Sequence, residues 1–216
     1  MSTSISDLPP ELLPDILRHL VRRQDLYNVS LVNRDWSVIG QKLLYRWIRL
    51  FGKDLAIAAQ LFETLASTPR LARLVRRLEV RVYPLSNVVK ERRAMEELAI
   101  RMLRNCENVE ELLWTRKGSL TDDVFEAIVK LPRLNNFELN AHTNLSPGSW
   151  SASHLVNLPR LKSISLILPD RNVANILPEF LTRQRQLSTN HDSSEESLAL
   201  EELSILCRDS TAINDR

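Results

Sequence analysis

Four glycines among 216 residues leave little material for tight hairpins and exclude a glycine-rich phosphate loop. With ten prolines, that scarcity argues against a sheet-rich fold built on many sharp turns. Two cysteines, Cys106 and Cys207, exclude a disulfide framework, and no metal-ligand spacing surrounds them. They read as reduced, half-buried thiols, so the expected location is the cytoplasm, the nucleus or both. No apolar run approaches the ~18–20 residues of a membrane-spanning helix, so no membrane partner is expected. The start, MSTSISDLPPELLPD, lacks the charge-then-apolar order of a secretory signal. The triplets Asn28-Val29-Ser30 and Asn144-Leu145-Ser146 are then chance glycosylation matches. His19, His142, His154 and His191 are scattered, with no pair at i, i+4 and no nucleophile elbow nearby. The chain is therefore expected not to be an enzyme, and no metal or cofactor is implied.

What is present is unevenly placed. Residues 1–105 hold 18 Lys/Arg against 11 Asp/Glu, whereas residues 106–216 hold 11 against 16. A positive first half and a negative second half suggest two surfaces with different partners. The first fifty residues are dense in leucine. Asp7 can cap a helix, and Pro9 and Pro10 suit its first turn. Leu12, Leu13, Ile16, Leu17, Leu20 and Val21 recur at helical spacing, with Pro14 either breaking the first turn or restarting the helix. Asp25 is a candidate cap for a second helix carrying Leu26, Val29 and Val32 and ended by Asn33. A third helix shows Trp36, Ile39, Leu43, Leu44, Trp47 and Ile48 at steps of three and four. Three short helices bury little surface alone, so this bundle calls for a covering partner or neighbouring domain.

Leu8-Pro9-x-Glu11-Leu12, then Ile16, Leu20, Leu26, Val29, Leu31-Val32-Asn33 and Trp36, resemble the F-box; Leu44-Tyr45-Arg46 and Ile48 continue its usual ending. The resemblance covers about positions 5–50, with Pro14 and Gly40 as small departures. It implies docking on the Skp adaptor of a cullin-RING ubiquitin ligase and, through that adaptor, on a cullin. Carried over by position, Leu8, Pro9, Leu12, Ile16, Leu17, Leu20, Leu26, Leu31 and Val32 would face the adaptor or its seam. Val29 and Trp36 would hold the bundle together.

Beyond residue 50 the texture changes. Leu55 to Leu65 reads as a helix, and Ser67-Thr68-Pro69 stops it. Apolar residues then recur in the pattern φ-x-x-φ-x-φ, where φ is apolar. The five copies are Val75/Leu78/Val80, Val109/Leu112/Trp114, Leu134/Phe137/Leu139, Leu161/Ile164/Leu166 and Leu200/Leu203/Ile205. Two copies share wording, LPRLNNFEL and LPRLKSISL, and the steps between middle residues are 34, 25, 27 and 39. The 25 and 27 fall within the 20–29 range of leucine-rich repeats. In φ-x-φ, alternate residues of a short strand turn inward, and such units must stack to bury their apolar edge. Glu91–Leu103, with Met95, Leu98, Ala99, Met102 and Leu103, and Asp122–Val129 fit helices between strands. Ser188–Ser197 is polar and acidic and reads as a flexible insertion. No polar-faced terminal cap is apparent, so the array is expected to be incomplete.

The expected architecture is mainly α with short parallel strands. A three-helix F-box occupies residues 1–50 and a linker helix 51–70. An irregular α/β leucine-rich-repeat solenoid occupies 71–216, with the insertion at 188–197. Outward strand positions Arg81, Thr115, Glu138, Asn140, Ser165 and Ile167 are candidates for contact with a client protein. Arg70, Arg73, Arg76, Arg77 and Arg81 form an arginine-rich stretch that reads as a solvated face pairing carboxylates such as Glu79; without interleaved aromatics, nucleic acid is not expected. The function these features support is a substrate-recognition subunit of an SCF-type ubiquitin ligase. The alternatives are an arginine-patch nucleic-acid or phospho-ligand binder, and an F-box scaffold acting outside the ligase.

Overall fold

The computed structural model describes residues 10–20, 22–52, 55–86, 88–145, 148–189 and 200–207. The chain divides into two units, Met1–Ile48 and Arg49–Arg216. In the first, a 3₁₀ turn at Pro10–Leu12 leads into α1 (Leu13–Leu17), followed by α2 (Arg23–Val29) and α3 (Arg34–Arg46). Pro14 occupies the first turn of α1, where its missing N–H costs no helical bond, so of the two readings of Pro14 the helix restarts there. Asp25 lies inside the first turn of α2, one helical turn too late to be its cap. Asn33 does not end α2; it starts α3, its Oδ1 accepting from the Trp36 amide at 3.0 Å. The third helix also ends earlier than its apolar spacing suggests, because Trp47 and Ile48 pass into strand β1 (Trp47–Leu50).

α3 packs on both α1 and α2. Gly40 is buried at that seam: a Cβ there would meet Ser30 Cβ and Ser30 N at 3.2 Å and the Leu26 carbonyl at 3.3 Å. What reads as a departure in sequence is thus the residue that lets α2 and α3 approach. Arg23 closes the far end of α3, its guanidinium donating to the Leu44 and Trp47 carbonyls at 3.0 Å each.

In the second unit, α4 (Leu55–Ser67) and α5 (Pro69–Ala72) precede β2 (Arg77–Val80). Then follow α6 (Val89–Asn105), β3 (Glu111–Trp114), α7 (Asp122–Val129) and β4 (Asn136–Asn140). A two-stranded hairpin, β5 (Asn144–Leu145) and β6 (Gly148–Ser149), and a 3₁₀ turn at Ala152–Asn157 lead to β7 (Ser163–Ile167). The order closes with α8 (Arg171–Thr189) and β8 (Glu202–Leu206). Six strands form one sheet in the order β1-β2-β3-β4-β7-β8, and from β2 to β8 every neighbouring pair is parallel. The architecture is therefore N-terminal helices and a parallel-strand sheet with helices between its strands.

Register confirms the period-two reading of the strands. Leu78, Leu112, Phe137, Ile164 and Leu203 align in one row, and Val80, Trp114, Leu139, Leu166 and Ile205 in the next. In β2, β3, β4 and β7 these residues are buried; in β8, Leu203 and Ile205 are 37% and 46% exposed. Helices cover the apolar side. α6 buries Met95, Ala99, Met102 and Leu103, spaced i, i+4, i+7, i+8. α4 packs on α6 and buries Ala58, Phe62 and Leu65, so the helix expected to link the units is part of the second one's core. Asn105 donates to the Leu65 and Ala66 carbonyls at 3.0 and 2.9 Å, satisfying the end of α4. Phe125 of α7 stacks on Trp150 at 4.8 Å and meets Phe137 edge-on at 6.0 Å. Gly148 is fixed by close approach, since a Cβ would lie 2.7 Å from the Gly118 and Leu120 carbonyls. The insertion read at 188–197 begins inside α8, where the Ser188 hydroxyl donates to the Gln184 carbonyl at 3.1 Å; residues 190–199 lie outside the described ones.

Candidate functional site

Two surfaces qualify, one on each unit. On the helical unit, Leu12, Ile16, Leu31 and Val32 are exposed, Leu31 most of all at 65%. Tyr27 and Val38 add exposed apolar area that the sequence pattern did not single out. A monomeric surface seldom shows so many large apolar side chains on so short a segment. Leu17 is buried at 2%, and with Leu13 it anchors α1 rather than offering itself to a partner. Leu20 and Leu26 are half-buried, as are Val29 and Trp36. Leu8 and Pro9 lie outside the described residues. In a stripe as broad as 12, 13, 16, 17 and 20, helical period alone does not say which half turns inward.

On the sheet unit, the face opposite the helices is polar. Its rows run Arg77–Glu111–Asn136–Ser163–Glu202 and Glu79–Leu113–Glu138–Ser165–Ser204. A groove of about 390 Å³ runs across them. Of the six outward positions expected there, Arg81, Glu138 and Ser165 are half-exposed. Thr115, Asn140 and Ile167 are instead buried. They sit where the strands end and the connections turn back: Asn140 shares a small void with His142 and Trp150, and its Oδ1 accepts from the His142 amide at 3.3 Å. The groove is completed by Asn136, Ser163, Glu202 and Ser204, legible in sequence only as the remaining alternate strand positions.

Charge on this face is ordered. Glu79, fully buried, accepts from Arg49 Nε at 3.0 Å and from Arg77 Nε at 3.0 Å, with Arg81 Nε 3.4 Å away. Arg77 also reaches Glu111 at 2.9 Å. Arg73 pairs with Glu107 at 3.2 Å and Arg76 with Glu110 at 3.0 Å, so this arginine-rich stretch is neutralised locally. Glu138 differs: burial pushes its carboxyl above the usual range, Arg81 and Arg77 pull it down, and Glu79 adds to the rise. Away from the groove, burial pushes the Cys106 thiol up to about 12, so it stays un-ionised at neutral pH, while Cys207 is exposed. Among the described residues no three His, Cys, Asp or Glu side chains converge as metal ligands, and no helix is long and apolar enough to cross a membrane.

Residues 5–51 match the F-box-like family. That match coincides with the helical unit and its exposed leucines. F-box domains generally bind the Skp adaptor, and the match gives this chain an adaptor-binding role in general terms. No curated protein matches the chain in sequence.

Proposed function

We propose that the chain is a substrate-recognition subunit of an SCF-type cullin-RING ubiquitin ligase. The observation that carries this reading is the coincidence of the F-box-like match with the uncovered Leu12, Ile16, Leu31 and Val32. The second unit is read as an irregular leucine-rich-repeat array holding a client protein. Supporting that are five parallel strands in chain order, each bringing apolar residues to the same two rows. The chain's contribution to ubiquitin transfer is proximity: holding a client lysine near the charged conjugating enzyme raises its effective concentration. It needs no cofactor and no catalytic group of its own, and it works in the cytoplasm or nucleus.

The test is co-purification of the full chain with the Skp adaptor. Leu12→Asp/Ile16→Asp and Leu31→Asp/Val32→Asp should each reduce recovery of the adaptor at least about tenfold, because a charge forced into an apolar interface is left without a partner. These side chains are exposed, so thermal melting of the chain should hardly change. Wild-type chain that leaves the adaptor behind, or aspartate variants that retain it fully, would overturn the reading. Raising the salt concentration should leave adaptor binding nearly unchanged, whereas an arginine-patch nucleic-acid binder would weaken steeply.

A further inference from the structure

Two glutamates at the far side of the sheet-face groove, Glu138 and Glu202, take no part in the close ion pairs of that face, although Arg81 and Arg77 act on Glu138 at longer range. Arg77 is divided between Glu79 and Glu111, and Arg81 leans on Glu79, so the cations are already engaged. The carboxylates of Glu138 and Glu202 make no hydrogen bond or ion pair among the described residues. Between them the groove floor is Ser163, Ser165 and Ser204, small hydroxyls that leave the space open and can each accept or donate. Leu113 supplies an apolar wall beside Glu138.

Geometry sets a spacing. Glu138 pairs with Ser165, which pairs with Ser204, while Glu202 opposes Ser163. The two carboxylates are thus two strands apart across the sheet and two residues apart along it. Strand spacing and rise make that diagonal roughly 11–12 Å. An extended peptide crossing the strands covers this in three to four residues at about 3.3 Å each.

We infer that this groove receives an extended basic peptide segment of a client protein, two Lys or Arg side chains four residues apart, and so on one face of the segment, pairing with Glu138 and Glu202 over the serine floor. The inference rests on the reading of the sheet unit as client-binding and names the class of client. An acidic or phosphorylated segment would meet two unpaired carboxylates on one side and arginines already committed on the other. Nucleic acid is disfavoured by the same arrangement. The negative balance of residues 106–216 adds a field of the right sign for steering a cationic segment.

The test uses the full chain bound to the Skp adaptor and fluorescein-labelled twelve-residue peptides of Gly and Ser carrying two lysines at i, i+4, with matched two-glutamate peptides as controls. Fluorescence anisotropy should show the lysine peptides binding and the glutamate peptides not. Glu138→Gln/Glu202→Gln should weaken lysine-peptide binding about tenfold or more. Glu97→Gln/Glu126→Gln, which removes the same charge from α6 and α7, should leave it within about twofold. An unchanged thermal melt of both variants reports that the sheet unit is folded, and adaptor co-purification separates this inference from the adaptor-docking proposal. Equal weakening by both double variants would reduce the effect to general charge attraction and overturn the site, as would glutamate peptides binding as well as lysine peptides. A lysine peptide that does not bind the wild-type complex overturns it outright, whatever the adaptor does.

Discussion

Asp170 holds two backbone amides and one hydroxyl through one carboxylate. Its Oδ2 accepts from the Thr143 amide at 2.7 Å and the Thr143 hydroxyl at 2.6 Å, and its Oδ1 accepts from the Val173 amide at 3.1 Å, capping α8. Burial raises this carboxyl, but the bonds from Thr143 and Val173 and the neighbouring His142 outweigh it and hold the group below the ordinary aspartate value of 3.8. A depressed carboxyl contributes stability that is present above its unfolded value and lost as pH falls through its folded one. Asp170→Ala should therefore destabilise the sheet unit by about 1–2 kcal/mol at pH 7. The gap between variant and wild type should narrow once the pH drops below about 4. Urea melts at several pH values read both effects; an unchanged gap at low pH would contradict the linkage. Single residues also mark where sequence reading stops. Asn33 is at home at either end of a helix, so composition does not say that it opens α3 instead of closing α2. Gly40 looks like a weak spot in a helix until its neighbour Ser30 is in place 3.2 Å from where a Cβ would be.

At the level of elements, the strands were legible and the joints between them were not. A period of two places Leu78, Leu112, Phe137 and Ile164 in one row whatever surrounds them, because alternate side chains of a strand must share a face. The fastening of helices to that sheet depends on long-range polar contacts with no local signal. Gln184 is the clearest: it is buried in α8, its Oε1 accepting from the Leu161 amide at 3.0 Å and its Nε2 donating to the Pro159 carbonyl at 3.1 Å. It ties α8 to the entry of β7 across 23 residues of sequence. Gln184→Leu keeps the volume but leaves a buried N–H and a carbonyl unpaired. We expect a loss of about 2–3 kcal/mol, read as a lowered melting temperature. Glu179→Gln, on the exposed side of the same helix, should stay within about 0.5 kcal/mol. The same lack of local signal explains the outward strand positions: Thr115, Asn140 and Ile167 follow the outward period and are nevertheless buried.

Over the whole molecule, stability in a sheet stacked strand by strand depends on each strand having neighbours on both sides. β3, β4 and β7 each lie between two parallel strands and bury both members of their apolar pair. Among the described residues β8 pairs with β7 alone, and its Leu203 and Ile205 remain 37% and 46% exposed. The ladder should therefore open first at β8, because the last strand has the fewest apolar contacts to lose. Amide hydrogen exchange should find Leu203–Leu206 exchanging well ahead of Leu112–Trp114 and Phe137–Leu139. Truncation should follow the same gradient. Ile164→Ala, in the buried row, should cost about 2–5 kcal/mol, whereas Leu203→Ala, one strand further out in that row, should cost under about 1 kcal/mol. Were Leu203→Ala to cost as much as Ile164→Ala, something must cover the outer strand in solution, and the array would not fray from that end. If the gradient holds, Glu202 and Ser204 belong to the least stable strand of the groove. A basic segment bridging Glu138 and Glu202 would then slow exchange at β8 more than at β4, so that capture of a client and closure of the ladder are one event.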